Sequence, residues 1–542
     1  MKLVVKQFLR NLKERGELDV IIPDLLSTMG LHVFSVPLTP GGRQYGVDVA
    51  AFGSIDGGVP SVYLFSIKAG DLTRSDWDSV GKVQSLRPSL NEILDVYIRS
   101  HIPSEYAGFP IVVCPCVGGG LREEVQSSVY GYCERMATGT IKFELWDGDK
   151  IAQHIVTYMF SERLLFEPAR SEFQKTLAMI NTPEIALEYY ARVLKSGLHI
   201  QTLKMTLWIL YSWSQAEDTY EVAFQAAERA LLKEWVRILS QGDPSKKTLI
   251  EFDSLLDIFF HISDAYMQKY LPFTKKYFCL SAGVRSNSYV DVNLQLFQLL
   301  GKLSSICMWN SWRESKGGTI AYDYSTVIRE LIENNPALHY PLVESQVVDM
   351  VLALVAMQDE SVEKTKNLIE GYLNGIFWRN GKKSKYLISD IPYPSLLRHP
   401  SEKSQTYFEE HTKADAVIPY LVFFLHEKGF VDLFQEQEFA LHSQCAHVSF
   451  QVLCCGRPLE EVEYFSSSQG ASNQVSAYVF EKEIPFLDNL TLIAEWSEQH
   501  QSFVKEGTFD LDYFPLFATA SRQYRIPLPL QVVQLFLGRV GK

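Results

Sequence analysis

Between residues 47 and 117 the chain changes period twice, and that double change limits the folds open to it. GVDVAAFG and VPSVYLFSIKAG are apolar runs of strand length. The turn-forming stretch SIDGG separates them, so they read as a hairpin. Next, Leu90, Ile93, Leu94, Tyr97 and Ile98 recur at helical spacing behind Pro88 and Ser89, with Glu92 completing a Ser-x-x-Glu capping box. IVVCPCV (111–117) then reads as a buried strand. A hairpin, a helix and a further buried strand share one core as a sheet with helices laid against it. The flanks agree. Residues 3–26 read as one or two helices interrupted near Pro23, 31–37 and 141–146 as strands, and 121–136 as a helix. Asp147-Gly148 turns the chain into one more helix.

Beyond about residue 168 the character changes. Thr182-Pro183-Glu184 opens a helix that Gly197 closes, and long helical periods follow at 203–240, 247–270, 290–309, 322–334, 342–375 and 415–440. Strand signals return only at 449–455 and 475–482. The expectation is an α/β domain over 1–168, a mixed sheet flanked by helices. A mainly helical region follows over 169–542, as one domain or two subdomains, without a fixed-period repeat.

Bulk properties narrow the function classes. With 542 residues, 46% hydrophobic and 21% charged, the chain has the make-up of a globular protein of two or three domains. Its longest apolar stretch, near 417–425, is about half the roughly 18 residues a membrane helix needs, so no membrane partner is expected. The N-terminus becomes charged too early for a signal peptide, and eight scattered cysteines show no disulfide framework, which places the chain in the cytoplasm. A net charge of −13 argues against polyanion binding by the whole surface. Residues 1–165, with an excess of roughly three acids, are the more balanced part, so any polyanion-binding surface is expected there rather than downstream.

Asp48, Ser66 and Lys68 interrupt strands otherwise made for a core. Residues two apart on a strand share a face, so Ser66 and Lys68 project with Val62 and Leu64, while Phe65 and Ile67 project oppositely. The hairpin brings Asp48 beside the strand end. A carboxylate, a main-chain carbonyl and a lysine converging there suit Mg²⁺, which takes oxygen ligands, and the lysine suits a developing negative charge.

The stretch GVDVAAFG, followed about 16 residues later by SIKAG, resembles the PD-(D/E)XK, or restriction-endonuclease-like, superfamily. FELWDGDKIAQHI also looks like the closing strand-turn-helix of Mrr-like defence nucleases. The resemblance covers about residues 1–165. It implies Asp48 as the acid of the second core strand, Lys68 as the motif lysine, Ser66 in the place of the second acid, and the Ile67 carbonyl as a metal ligand. A first-helix acid would be Asp19, with Asp24 and Glu17 as competitors. Because Ser66 supplies only a neutral oxygen, Asp71, Asp76 or Glu92 would have to compensate. The activity implied is Mg²⁺- or Mn²⁺-dependent hydrolysis of DNA, with RNA an open alternative, in prokaryotic defence against phage or foreign DNA. The helical region would control it through a sensed signal, a protein partner or homo-oligomerisation. The alternative is a nuclease fold that binds nucleic acid or protein without cutting.

Other candidates are secondary. Arg74, Lys82 and Arg87 follow Lys68 and could touch phosphates. Gly118-Gly119-Gly120 invites a phosphate-loop reading but lacks a P-loop lysine. His442, Cys445, His447, Cys454 and Cys455 fit no zinc spacing and read as buried structural residues. His32, His101 and His154 read as cap or core residues, and Trp77 as a core anchor.

Overall fold

The computed structural model describes residues 2–36, 45–55, 57–78, 85–159, 165–242, 244–318, 323–358, 360–377, 391–398, 404–434, 438, 445–454, 461, 464–465, 477–499, 508 and 511–539. The chain divides into two compact units, Met1–Ala226 and Ala227–Lys542.

The N-terminal unit begins with α1 (Lys2–Arg10), a π-helical turn over Glu14–Leu18 and α2 (Asp19–Thr28). The strands are β1 (His32–Ser35), β2 (Val49–Gly53), β3 (Ser61–Lys68), β4 (Ile111–Val117) and β5 (Ile141–Phe143). They lie in that order in one mixed sheet. β1, β2 and β3 run antiparallel, with Val49 opposite Phe65 and Gly53 opposite Ser61. β4 and β5 continue the sheet in parallel, with Ser66 beside Pro115 and Lys68 beside Val117. Between β3 and β4 run α3 (Arg74–Trp77), α4 (Leu86–Glu92), a π-helical segment (Ile93–Tyr97) and α5 (Ile98–Ser100). α6 (Glu123–Met136) joins β4 to β5, and α7 (Gly148–His154) follows.

Each face of β3 has its own core. Tyr63, Phe65 and Ile67 pack with Phe8, Ile22, Trp146 and Ile151, on the side of α1, α2 and α7. Val62 and Leu64 pack with Trp77, Leu90, Ile93 and Val129, on the side of α4 and α6. Each such side chain, taken fully out of water, contributes about 2 kcal/mol. The stripe read at helical spacing along 90–98 faces this second core, and Trp77 meets Tyr132 edge-on at 5.5 Å.

Three local expectations are corrected. The N-terminal helices break at residues 11–13, not at Pro23, which lies within α2 near enough to its start that one ladder bond is missing. Glu17 fixes the break by accepting the Lys13 amide at 2.7 Å. α4 begins behind Ser85, four residues before Ser89, so the Ser89–Glu92 capping box is not formed. Pro88 is its third residue, where no intrahelical donor is lost. The unit also runs past 168. α8 (Ala169–Ala178), α9 (Pro183–Lys195) and α10 (Ile200–Ala216) belong to it, and Met205 of α10 lies in the Phe65 core.

The second unit is mainly helical. α11 (Glu221–Ser240) carries the unit boundary, and the longest helices are α12 (Lys246–Thr274) and α14 (Tyr289–Ser315), separated by the short α13 (Cys279–Gly283). α15 (Tyr324–Asn334) and α16 (Val347–Ala356) follow. A small sheet orders β6 (Ala414–Asp415), β7 (Ser449–Leu453) and β8 (Ala477–Val479); β7 and β8 lie at the late strand signals, whereas β6 stands where the 415–440 helix was expected to begin. Among the described residues no helix is long and apolar enough to cross a membrane.

Candidate active site at the sheet rim

Asp48 immediately precedes β2. Its amide donates to the Phe65 carbonyl at 2.8 Å, and its Oδ2 accepts the Ile67 amide at 2.7 Å. The turn before it is held by Gly46, whose φ is +77° and where a Cβ would lie 2.0 Å from the Ser89 carbonyl oxygen. Only glycine permits that approach, so the α4 backbone sets the height at which Asp48 enters the sheet.

Lys68 closes β3, and its ammonium donates to both carboxylate oxygens of Glu14 at 3.1 Å. Glu14 opens the π-helical turn whose Leu18 belongs to the Phe65 core. Burial is the main force on Asp48 and pushes its carboxyl up to about 6. The Ile67 amide and the Lys68 charge pull it down, and the carboxylates of Glu14 and Asp19 push it up again. Asp19, first residue of α2, has its Oδ1 buried without a hydrogen-bond partner among the described residues. The rim therefore gathers Asp48, Lys68, Glu14 and Asp19.

Other expected contributors are placed elsewhere. Ser66 is 1% exposed, inside the sheet on the parity of Val62 and Leu64. Asp71 pairs with Arg10 and with Arg122 at 3.1 Å, and its Oδ1 accepts the Gly120 amide at 3.1 Å, so its oxygens serve the scaffold. Asp76 closes a capping box with Thr73 at the start of α3, and Glu92 ends α4. Glu17 is the cap at Lys13. Arg74 heads α3 with its amide on Glu124, whereas Arg87 pairs with Asp78 and lies 5.9 Å over the Tyr132 ring. Lys82 lies outside the described residues.

The triglycine turn is not a phosphate cradle. Gly118 donates to the Lys68 carbonyl at 3.0 Å, Gly119 to the Gly70 carbonyl at 2.8 Å, and Gly120 to Asp71. Its three amides are thus consumed in joining the end of β3 to the end of β4. The histidines are ring contacts. His32 bonds the Tyr106 hydroxyl at 2.8 Å, His101 stacks on Tyr97, and His154 stacks on Trp146. Cys445 and Cys454 are buried, while His442 and Cys455 lie outside the described residues. Among the described residues no three His, Cys, Asp or Glu side chains form a metal-holding group.

Glu14 is the residue that the sequence did not single out. KERGELD offers acids at 14, 17 and 19, and only the break at 11–13 decides that Glu14 reaches Lys68 while Glu17 serves the backbone. No protein-family model, curated protein or solved structure matches the chain.

Proposed function

We propose that the N-terminal unit is a restriction-endonuclease-like nuclease that hydrolyses phosphodiester bonds in DNA at this rim, with a divalent cation. The observation that carries the reading is the joint placement of Asp48 and Lys68 at one end of paired strands, with Glu14 and Asp19 adding like charge to Asp48. A buried carboxyl that a neighbouring carboxylate pushes up, that neighbour keeping an orphaned buried oxygen, forms a donor set short of positive charge. Such a set fits Mg²⁺ or Mn²⁺. Mg²⁺ needs only one or two carboxylates because it keeps waters and takes other oxygens from a phosphate.

Asp48 and Asp19 would hold the ion. In an extended strand the N–H and C=O of one residue leave on the same edge, so the Ile67 carbonyl joins them on the side where its amide meets Asp48. When bound, the ion supplies charge neutralisation and a lowered water pKa. Lys68 holds a compact positive charge at the reacting phosphate, and Glu14 keeps that ammonium oriented. A helical unit of this size suits control of such an activity, and defence against foreign DNA is the role we assign to it.

The test is cleavage of plasmid DNA with Mg²⁺ or Mn²⁺ by the intact protein and by Asp48→Ala and Lys68→Ala. Loss of cutting in both variants is expected, and equal cutting by all three removes the proposal. A second reading rests on Ser66 and on the absence of a third donor among the described residues. It is the same rim binding nucleic acid without cutting. Calorimetric Mg²⁺ binding that vanishes in Asp48→Ala favours the nuclease, and no Mg²⁺ binding favours the second reading.

A further inference from the structure

In the helical unit the turn after α12 carries a bulky residue in the left-handed region. Phe278 has φ +59°. That conformation is an outlier for an aromatic residue and persists only where the surroundings impose it. They do so here. The Phe278 amide donates to the Asn334 carbonyl at 2.7 Å, and the Cys279 amide to Lys276 at 3.2 Å. The strain does not serve burial, because Phe278 remains 50% exposed.

Its ring lines two adjoining cavities of about 360 and 550 Å³, both bordered by Ser286, Asn287 and Val292, with Tyr289 and Tyr340 at one end and Arg285 at the other. Tyr277 is 72% exposed and its ring lies 6.4 Å from that of Phe278. Exposed Phe273 continues the row, with the Lys276 ammonium 5.5 Å over its ring. The charge of this stretch reverses that of the protein. Residues 265–290 contain Lys269, Lys275, Lys276 and Arg285 and no Asp or Glu, in a chain of net charge −13. Asp291 stands at the border with its oxygens accepting from Ser286 and Tyr393.

From this we infer that the Phe273–Tyr289 face binds single-stranded nucleic acid. Exposed aromatic faces accept unstacked bases of any sequence, and lysines and an arginine beside them follow the phosphates. Exposed Asn287 offers hydrogen-bonding groups to base or sugar edges, which a purely apolar helix groove would not. The inference stands whether or not the sheet rim cuts.

The experiment is fluorescence anisotropy of a labelled 20-nucleotide oligo-dT with the full chain in EDTA, which silences any metal-dependent cutting. Phe278→Gly relieves the backbone strain and keeps the fold, so its melting temperature should hold or rise. Its affinity should fall roughly five- to 100-fold. Lys275→Ala combined with Lys276→Ala should lower the slope of log K against log salt by about 1.4, the contribution of two phosphate contacts. A duplex of equal length should compete poorly, since its bases are stacked away. The inference is overturned if the parent does not bind, if both face variants bind like the parent, or if duplex competes equally. It is likewise overturned if an acidic peptide such as polyglutamate binds the face and the oligomer does not.

Discussion

Two aspartates, one in each unit, meet nearly the same local circumstances and do different things. Asp48 precedes β2 and accepts the Ile67 amide at 2.7 Å; Asp415 ends β6 and accepts the Ile418 amide at 2.8 Å. Burial raises both, to about 6 and about 8. The Asp415 amide partner comes from the helix Val417–Glu427 directly after it, so the carboxyl caps a helix start. Asp48 takes its amide from the next strand, and the field on it comes from Lys68, Glu14 and Asp19, brought from two other segments. A raised carboxyl therefore does not mark a reactive site. What sets Asp48 apart is a lysine and two further acids brought to it from other segments.

The largest separation between the two should appear in cleavage assays. Asp48→Ala should lower the rate at least about a hundredfold, the scale of a lost metal ligand, whereas Asp415→Asn should stay within about twofold of the parent. Equal loss in both would erase the distinction.

Stability against pH gives the next effect. A carboxyl whose folded pKa lies above its unfolded value near 3.8 keeps its proton in the folded state after the unfolded chain has lost it. Its contribution is best at low pH and declines as pH rises through that window. For Asp48 the decline runs from about pH 4 to 6 and amounts to roughly 3 kcal/mol. Asp48→Asn should thus melt higher than the parent at pH 8 and converge with it near pH 4. For Asp415 the decline extends to about pH 8, so Asp415→Asn should lose the downward trend between pH 6 and 8 that Asp48→Asn retains. Thermal melts of both variants at matched ionic strength check the pair of windows.

Smaller effects sharpen the contrast. Asp415→Ala removes the cap and should destabilise by about 1–2 kcal/mol in denaturant titrations, and Asp415→Asn should restore most of that. Glu14→Gln weakens a partly exposed pair with Lys68 and should cost under about 1 kcal/mol. If Glu14 orients the lysine, the same variant should change the metal-dependent rate by more than that figure predicts.

What the sequence disclosed follows from how local each signal was. The hairpin and the β4 strand were legible because alternation and turn chemistry act over a few residues, and with them came the nearness of Asp48 to Lys68. The late strands near 450 and 478 were legible for the same reason. Glu14 was not, since three acids within six residues look alike until the backbone chooses among them. The depth of Ser66 was not legible either. Parity gave its face, but nothing local revealed that the sheet closes over it to 1% exposure. Asp71 and the triglycine turn read as chemistry and serve as joinery, because their partners lie 49 to 61 residues away.

That joinery has a further consequence. Where β3 and β4 end, the support under Lys68 is peptide backbone laid on peptide backbone. A Cβ at Gly119 would come within 2.4 Å of Asp71 Oδ1, and one at Gly148 within 2.6 Å of the Gly118 carbonyl oxygen. A single added methyl there is a wedge driven under the lysine, which leaves every acid and amine of the rim in the sequence but out of alignment. Gly119→Ala or Gly148→Ala is accordingly the place to seek a conditional allele, competent when cool and silent when warmed.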